Sequence, residues 1–349
     1  MKVCQVLAGV GYGGLEKHTI ELSKGLKQQN IDVTVIAHPD FAQDFEGINF
    51  IPIDLGKSRL NPLLLYRLYK VLKNGSFDIV HTQANKATDI VAKIKPFLNF
   101  KMIATLHNIK RNLSSFEKSD FVITVSDKIG EKLKNRNKQT IYNGISYEKM
   151  NDTIDLRKKY GFQAESFVIC TIARLTKAKR LDVLLQGLAK TENINLILVG
   201  GGEEETNLKK LVDPLGIKER VEFTGAMKNK EVKQIIANSD AFVMTSDNEG
   251  FPYTFVETMF CHTPFISTPV SDIEKFIGPQ YTIPFGDYNT LAKKLEDVKN
   301  NYSRVEQDFV PIFQKAVHEF TVENMVNQTI KVYEKCNGVN RMNTEKEHN

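Results

Sequence analysis

SFVICTIARLTKAKRLDVLLQGLAKTENINLILVGGG, residues 166–202, holds one complete strand–helix–strand unit. Its ends, SFVICTIARL (166–175) and INLILVGGG (194–202), are short apolar runs rich in β-branched residues. Between them Leu181–Lys190 spaces its apolar residues three and four apart, the helical period. Strands joined by a helix of this length pair in parallel, because the crossover returns the chain to the same end of the sheet.

The same alternation extends in both directions. Upstream, strands are expected at 2–9, 32–38, 77–83, 101–107, 120–126 and 139–144, with helices at Leu15–Gln28, Asn61–Lys73, Ala87–Leu98 and Asp127–Lys134. Downstream, VEFTGA (221–226), DAFVMTS (240–246) and PFISTP (264–269) continue it, and 308–336 reads as one helix. The stretch between, SYEKMNDTIDLRKKYGFQAE (146–165), is polar and turn-rich. The expected architecture is α/β, two Rossmann-like doubly wound domains facing a central cleft at their strand C-terminal ends. Their expected limits are 1–155 and 156–337, followed by a polar tail, 338–349, with the last helix free to pack back on the first domain.

Composition agrees with this division. A chain of 349 residues exceeds the roughly 250–300 that one core serves. With 41% hydrophobic and 26% charged residues it is globular, neither disordered nor fibrous. No apolar run approaches the roughly 20 residues of a membrane-spanning helix, and MKVCQVLAGV reads as a strand rather than a leader. Cys4, Cys170, Cys261 and Cys336 lie too far apart for a zinc or disulfide framework, which places the expectation in a reducing cytoplasm. The net charge of +5 is uneven. Residues 1–150 hold 22 Lys and Arg against 14 Asp and Glu, a net +8, and the remainder 25 against 28, a net −3. Nucleic acid is not an expected partner, since the basic residues lack clustered aromatics.

Glycine loops and charged strand ends carry the chemistry. GVGYGG places Gly9, Gly11 and Gly14 in the G-x-G-x-x-G order of a dinucleotide site. The second strand lacks the acid that would take the ribose, ending instead on His38-Pro39, so a glycine loop opening a helix is the stronger reading. Arg174 and Lys179 lie five apart across a strand-to-helix turn and could share one anion, with surface cations as the alternative. VGGGEE (199–204) permits close backbone approach of a ligand. In SDNEGFPYTFVETM, Pro252 suits the first turn of a helix, putting Glu249 before it and Glu257 inside. A carboxylate on that otherwise apolar helix needs partners, which vicinal hydroxyls would supply.

These segments together carry a resemblance. EGFPYTFVETM is similar to the Glu-x7-Glu signature of glycosyltransferase family 4, whose members have the GT-B fold. ARLTKAK resembles that family's diphosphate element, and GGLEKH (13–18), DIVHTQ (78–83), TLHN (105–108) and YNGI (142–145) resemble other segments of it, in order. The resemblance spans about residues 1–290.

The resemblance implies catalytic roles for His107, Arg174, Lys179 and Glu249, with Arg174 and Lys179 on the leaving diphosphate. It implies donor binding by Gly13, Gly14, Gly201, Glu249, Gly250, Phe251 and Glu257, with Glu257 on the ribose. The implied donor is an NDP-sugar, most simply a UDP-sugar, with retention at the anomeric carbon. No further cofactor and no metal is expected, and the chain has no Asp-x-Asp. Two positions depart from the family pattern. His262 stands where a glycine is usual after the second Glu, and Val270-Ser271-Asp272 where Gly-Gly often precedes a later acid.

On the acceptor side, KSRLNPLLLYRLYKVLK (57–73) holds five basic residues and no acidic one. It reads as a basic amphipathic helix, lying on an anionic membrane or packed on the core with a solvated basic side. Glu16, Arg59, Arg67, Lys70, Lys110 and Arg111 are the candidates for a glycan or lipid-linked acceptor or the membrane itself. The reading is a transferase of bacterial surface-polysaccharide or lipopolysaccharide synthesis. A sugar-nucleotide epimerase on the same fold is the first alternative; an NAD-dependent oxidoreductase and a non-catalytic binding protein follow.

Overall fold

The computed structural model describes residues 1–11, 13–146 and 153–338; residues 147–152 of the expected linker and all but the first residue of the expected tail lie outside it. The chain divides into two compact units, Met1–Ile145 with Phe320–Asn349, and Ser146–Glu319.

The first unit is built on seven parallel strands: β1 (Lys2–Leu7), β2 (Asp32–Ala37), β3 (Asn49–Pro52), β4 (Ile79–Gln83), β5 (Lys101–Leu106), β6 (Phe121–Thr124) and β7 (Lys138–Thr140). Their order is β3-β2-β1-β4-β5-β6-β7, so the strand order reverses between β1 and β4. The strand period of two divides β1 between two cores. Val3 and Leu7 join Leu22, Leu26, Met325 and Val332 on one face; Cys4 and Val6 join Leu64, Leu68, Ile90 and Val91 on the other. Burial on both faces is why these strands read as unbroken apolar runs.

The helix Pro62–Gly75 shows how local sequence sets an element. Asn61 accepts from the N–H groups of Leu63 and Leu64 as its cap, Pro62 takes the first position, and Ser76 ends it in a left-handed turn. Leu64, Leu68 and Leu72 are buried, each worth about 2–5 kcal/mol against alanine.

The second unit carries five parallel strands: β8 (Phe167–Ile172), β9 (Ile194–Val199), β10 (Val221–Gly225), β11 (Ala241–Met244) and β12 (Phe265–Ser267). Their order is β10-β9-β8-β11-β12, with the reversal between β8 and β11. Both units are therefore doubly wound, Rossmann-like sheets.

Some boundaries differ from expectation. The strand β3 is additional, a four-residue, partly exposed piece at the sheet edge, too short for a period to register. The helix expected over Asp127–Lys134 stops at Gly130. The single helix expected over 308–336 is two, Tyr302–Glu319 and Val322–Asn337. Between them Phe320 is buried and Thr321 turns extended, its hydroxyl capping Asn324 N–H at 3.1 Å. The break also divides the units, so Val322–Asn337 belongs to the first one. Part of the expected linker is structured too. The helix Leu156–Tyr160 is capped by Asp155, and Arg157 bonds Asp240 at 2.5 Å, both within the second unit.

Gly144 shows the close approach that the C-terminal segment requires. Ile145 pairs with Thr321, and a Cβ on Gly144 would sit 2.2 Å from the Thr321 carbonyl oxygen. Among the described residues, no helix is long and apolar enough to cross a membrane.

Candidate active site

In the second unit, Arg174, Lys179 and Glu249 lie in the segments that follow β8 and β11, between which the strand order reverses. After β8 the chain runs through Arg174 to a short 3-10 turn, Lys177–Lys179, and then the helix Leu181–Leu188. Thr245, just past β11, donates its hydroxyl to the carbonyls of Lys179 and Arg180 at 3.0 and 2.9 Å, and Asp247 N–H donates to Ala178 O at 2.9 Å. These straps tie the cationic loop to the loop that carries Glu249. Lys179 Nζ consequently meets Glu249 Oε1 at 2.5 Å, with both side chains largely buried. Arg174 is exposed and forms no ion pair among the described residues. Arg180, which the sequence reading passed over, pairs with Asp182 and Asp247 at 3.2 and 3.4 Å and fixes the far side of the turn.

Glu257 lies on the helix Tyr253–Phe260, with Pro252 as its capping residue rather than inside the first turn. The side chain is half-buried, so the helix does not seal the carboxylate away. Gly250 is buried. The Phe251 ring is a packing group, against Phe255 and Phe276 at 5.8 and 6.1 Å, which leaves only its backbone for a ligand.

The triple glycine after β9 divides by role. A Cβ on Gly200 would lie 1.9 Å from Ala173 O, and one on Gly202 2.5 Å from Leu175 O, both at positive φ. Those two glycines are demanded by the neighbouring chain. A Cβ on Gly201 would meet Glu205 Oε2 at an ordinary 3.7 Å, so the neighbouring chain does not demand glycine there.

In the first unit, Gly13 and Gly14 open the helix Gly14–Gln28. The Glu16 side chain folds back beneath the loop and is buried; a Cβ on Gly9 would meet its Oε1 at 2.0 Å. A dinucleotide pyrophosphate against Gly9 would face that carboxylate, which disfavours the oxidoreductase alternative.

His107, just past β5, has His18 beside it, with ring centroids 4.7 Å apart and edge to face. His18 Nδ1 bonds Asn143 Oδ1 at 3.0 Å, and His107 Nε2 bonds Gln83 Oε1 at 2.8 Å. Burial lowers His18 to about 4 against the Asn143 hydrogen bond, and lowers His81 to about 3. Burial, then the nearby His18 and His81, holds His107 well below the usual range. All three rings are neutral at pH 7. His81 is a structural residue, fully buried with both ring nitrogens bonded. His18, Gln83 and Asn143 were not singled out from the sequence; the only signal was their position inside GGLEKH, DIVHTQ and YNGI.

The acceptor-side candidates do not form one cluster. Arg59 pairs with Asp89 at 3.6 Å, Arg67 donates to Pro52 O at 3.0 Å and Lys70 lies over Tyr66 at 5.1 Å. Lys110 and Arg111 are exposed in the loop after β5, and Glu16 is buried as described. Among the described residues, no group of three His, Cys, Asp or Glu is arranged to hold a metal ion.

Comparison with known proteins bears on the whole chain. Residues 12–149 match the family described as Glycosyltransferase Family 4, and residues 152–310 match Glycosyl transferases group 1. An N-acetyl-alpha-D-glucosaminyl L-malate synthase of Bacillus anthracis is 27% identical, covering 92% of this chain and 89% of its own. A lipopolysaccharide core biosynthesis glycosyltransferase of Rhizobium meliloti is 26% identical over 84% and 85% of the two chains. The structure of Anabaena HepE in complex with UDP and glucose superposes with a TM-score of 0.81 at 19% identity, covering 96% of this chain and 100% of that one, and so shares the fold. Two doubly wound units, the charged strand ends and matches to both family halves make this chain a glycosyltransferase of the GT-B fold, a Glycosyltransferase Family 4 domain followed by a Glycosyl transferases group 1 domain.

Proposed function

We propose that the enzyme moves a sugar from an NDP-sugar, in the first instance a UDP-sugar, to a glycan or lipid-linked acceptor in bacterial surface-polysaccharide or lipopolysaccharide synthesis. The observation that carries this reading is the Lys179–Glu249 pair at the ends of β8 and β11, with Arg174 beside it in sequence and unpaired among the described residues. The UDP and glucose bound by HepE and the lipopolysaccharide role named for the Rhizobium meliloti relative support the donor and acceptor classes.

In this reading Glu257 takes the ribose hydroxyls, Glu249 a sugar hydroxyl, and Gly201 and the Gly250 and Phe251 backbone flank the donor. Gly13 and Gly14 offer helix N-terminal N–H groups to the diphosphate. As the glycosidic C–O bond breaks, charge grows on the diphosphate oxygen. In this reading Arg174 and Lys179 stabilise that charge most at the transition state. Lys179 is held by Glu249, so little reorganisation is needed when the charge develops. Retention follows if the leaving phosphate oxygen accepts the acceptor's proton on the same face. His107 is the first unit's group for the donor sugar.

The test is nucleotide release and thermal shift across a panel of NDP-sugars, with NAD as the control. A response to UDP-sugars and none to NAD is expected. Arg174→Ala should lower kcat about 10²–10³-fold, as loss of one preorganised charge contact does. Unchanged turnover in Arg174→Ala would remove it from the site, and an inverted product anomer by NMR would end the same-face step.

A further inference from the structure

Five buried polar side chains on and beside the first sheet, Gln83, Gln5, Tyr333, His81 and Thr105, form one unbroken line of hydrogen bonds that ends at His107. His107 Nε2 meets Gln83 Oε1 at 2.8 Å, and Gln83 Nε2 meets Gln5 Oε1 at 2.9 Å. Gln5 Nε2 meets Tyr333 Oη at 2.9 Å, Tyr333 Oη meets His81 Nδ1 at 2.6 Å, and His81 Nε2 meets Thr105 Oγ1 at 2.6 Å. Every member beyond His107 is buried. The residues come from β1, β4, β5 and the helix Val322–Asn337, all within the first unit.

Such a line has a direction. A glutamine amide accepts at one end and donates at the other, so the hydrogens along two glutamines in series must point the same way. Gln83 donates to Gln5, and Gln5 donates to Tyr333. Tyr333, having accepted, turns its own proton to His81 Nδ1. His81 then carries its proton on Nε2 and donates it to Thr105. At the other end Gln83 presents only an oxygen, so the His107 proton must sit on Nε2.

We propose that Gln83, Gln5, Tyr333 and His81 are positioning residues that hold His107 as the neutral Nε2–H tautomer, leaving Nδ1 as the ring's hydrogen-bond acceptor. The ligand chemistry this selects is a hydroxyl donor such as a sugar OH, rather than an anion; this extension rests on the donor-sugar role given to His107 above. An imidazolium would favour an anionic ligand instead, and the burial of the ring opposes that form. The groups that bear electrostatically on the ring are His18 and His81, both neutral for the same reason. The line also makes the two tautomers interdependent. Turning both glutamines over would move the proton to Nδ1 on His107 and on His81 together, so the two rings share one tautomer.

The test is 15N NMR of the full chain labelled at histidine, at pH 7, with His107 and His81 assigned by single substitution. Both rings in the Nε2–H form is the expected result. His107 as an Nδ1–H tautomer, or as an imidazolium, would overturn the proposal. Gln83→Leu cuts the line next to His107 and should leave that ring a mixture of tautomers while His81 keeps its own. Gln83→Glu puts a carboxylate against Nε2 and should bring His107 titration toward neutral pH; a ring that stays neutral throughout would count against the coupling. Kinetics separate the two layers of the inference. If His107 serves the sugar, Gln83→Leu should raise KM for the sugar nucleotide about tenfold, the scale of one hydrogen bond, without changing the affinity for free nucleoside diphosphate. A confirmed tautomer with unchanged KM would keep the line and discard the sugar contact.

Discussion

His262 and Ser271 stand at the two departures from the resembled pattern, and both take the backbone that glycine favours, with φ of +57° and +52°. The left-handed region costs an ordinary L-residue about 1–2 kcal/mol, so each needs compensation. The His262 ring finds it by stacking on Phe313, centroids 5.2 Å apart and 17° from parallel. Ser271 donates its hydroxyl to the Gly250 carbonyl, tying its loop to the one that carries Glu249. At the end of the Glu257 helix, side-chain contact thus takes the place of backbone freedom. His262→Ala should lose the stack, about 0.5–1.5 kcal/mol, and keep the strain, whereas His262→Gly loses the stack and relieves the strain. In urea unfolding, the glycine variant should therefore be the more stable of the two. The reverse order would mean that the left-handed turn is not strained.

Within single elements, the helix Pro62–Gly75 answers a question that its sequence left with two answers. Leu64, Leu68 and Leu72 face the core, as the packed alternative required. A second apolar set, Leu63 and Tyr66 on the helix with Leu60 just before it, is 78%, 58% and 73% exposed, beside exposed Arg67 and Lys70. One helix has a core face and an outward apolar face flanked by cations. The outward face suits an anionic bilayer surface, to which both cations and inserted apolar groups contribute. Leu63→Ser with Tyr66→Ser should weaken co-sedimentation with vesicles containing anionic phospholipid by tenfold or more, taking about 1.5–3 kcal/mol for each large apolar side chain inserted. Folding stability should change by less than about 0.5 kcal/mol per site, because neither side chain is buried. Equal vesicle binding by variant and parent would leave this face without a membrane role.

Across the whole molecule, burial of three histidines in the first unit ties its stability to pH. His18 and His81 fall to about 4 and about 3 in the folded chain, and His107 falls well below its usual range, chiefly through burial. Unfolded histidine titrates near 6.5. Between that value and the folded ones the unfolded chain binds more protons, so stability is fully present above about pH 7 and declines as pH falls from about 6.5 toward 4. Urea unfolding of the first unit at pH 7.5, 6 and 5 should show that decline, and a flat profile across this range would contradict the buried, neutral state.

What the amino-acid sequence determines alone is local. Alternating apolar periods set the strands and helices; charged residues just past apolar runs single out Arg174, Lys179 and Glu249 as candidates, and a carboxylate on an otherwise apolar helix singles out Glu257. What tertiary structure decides is long-range. The Lys179–Glu249 pair spans 70 residues, and the Gln5–Tyr333 bond joins residues 328 apart. No period or spacing encodes such pairings. The same is true of the C-terminal segment: its apolar pattern reads as one helix, but its return to the first unit depends on Thr321 pairing with Ile145 against a glycine that leaves room. Charge and period belong to the chain, whereas the proton position on His107 follows from which buried partners the fold brings to it.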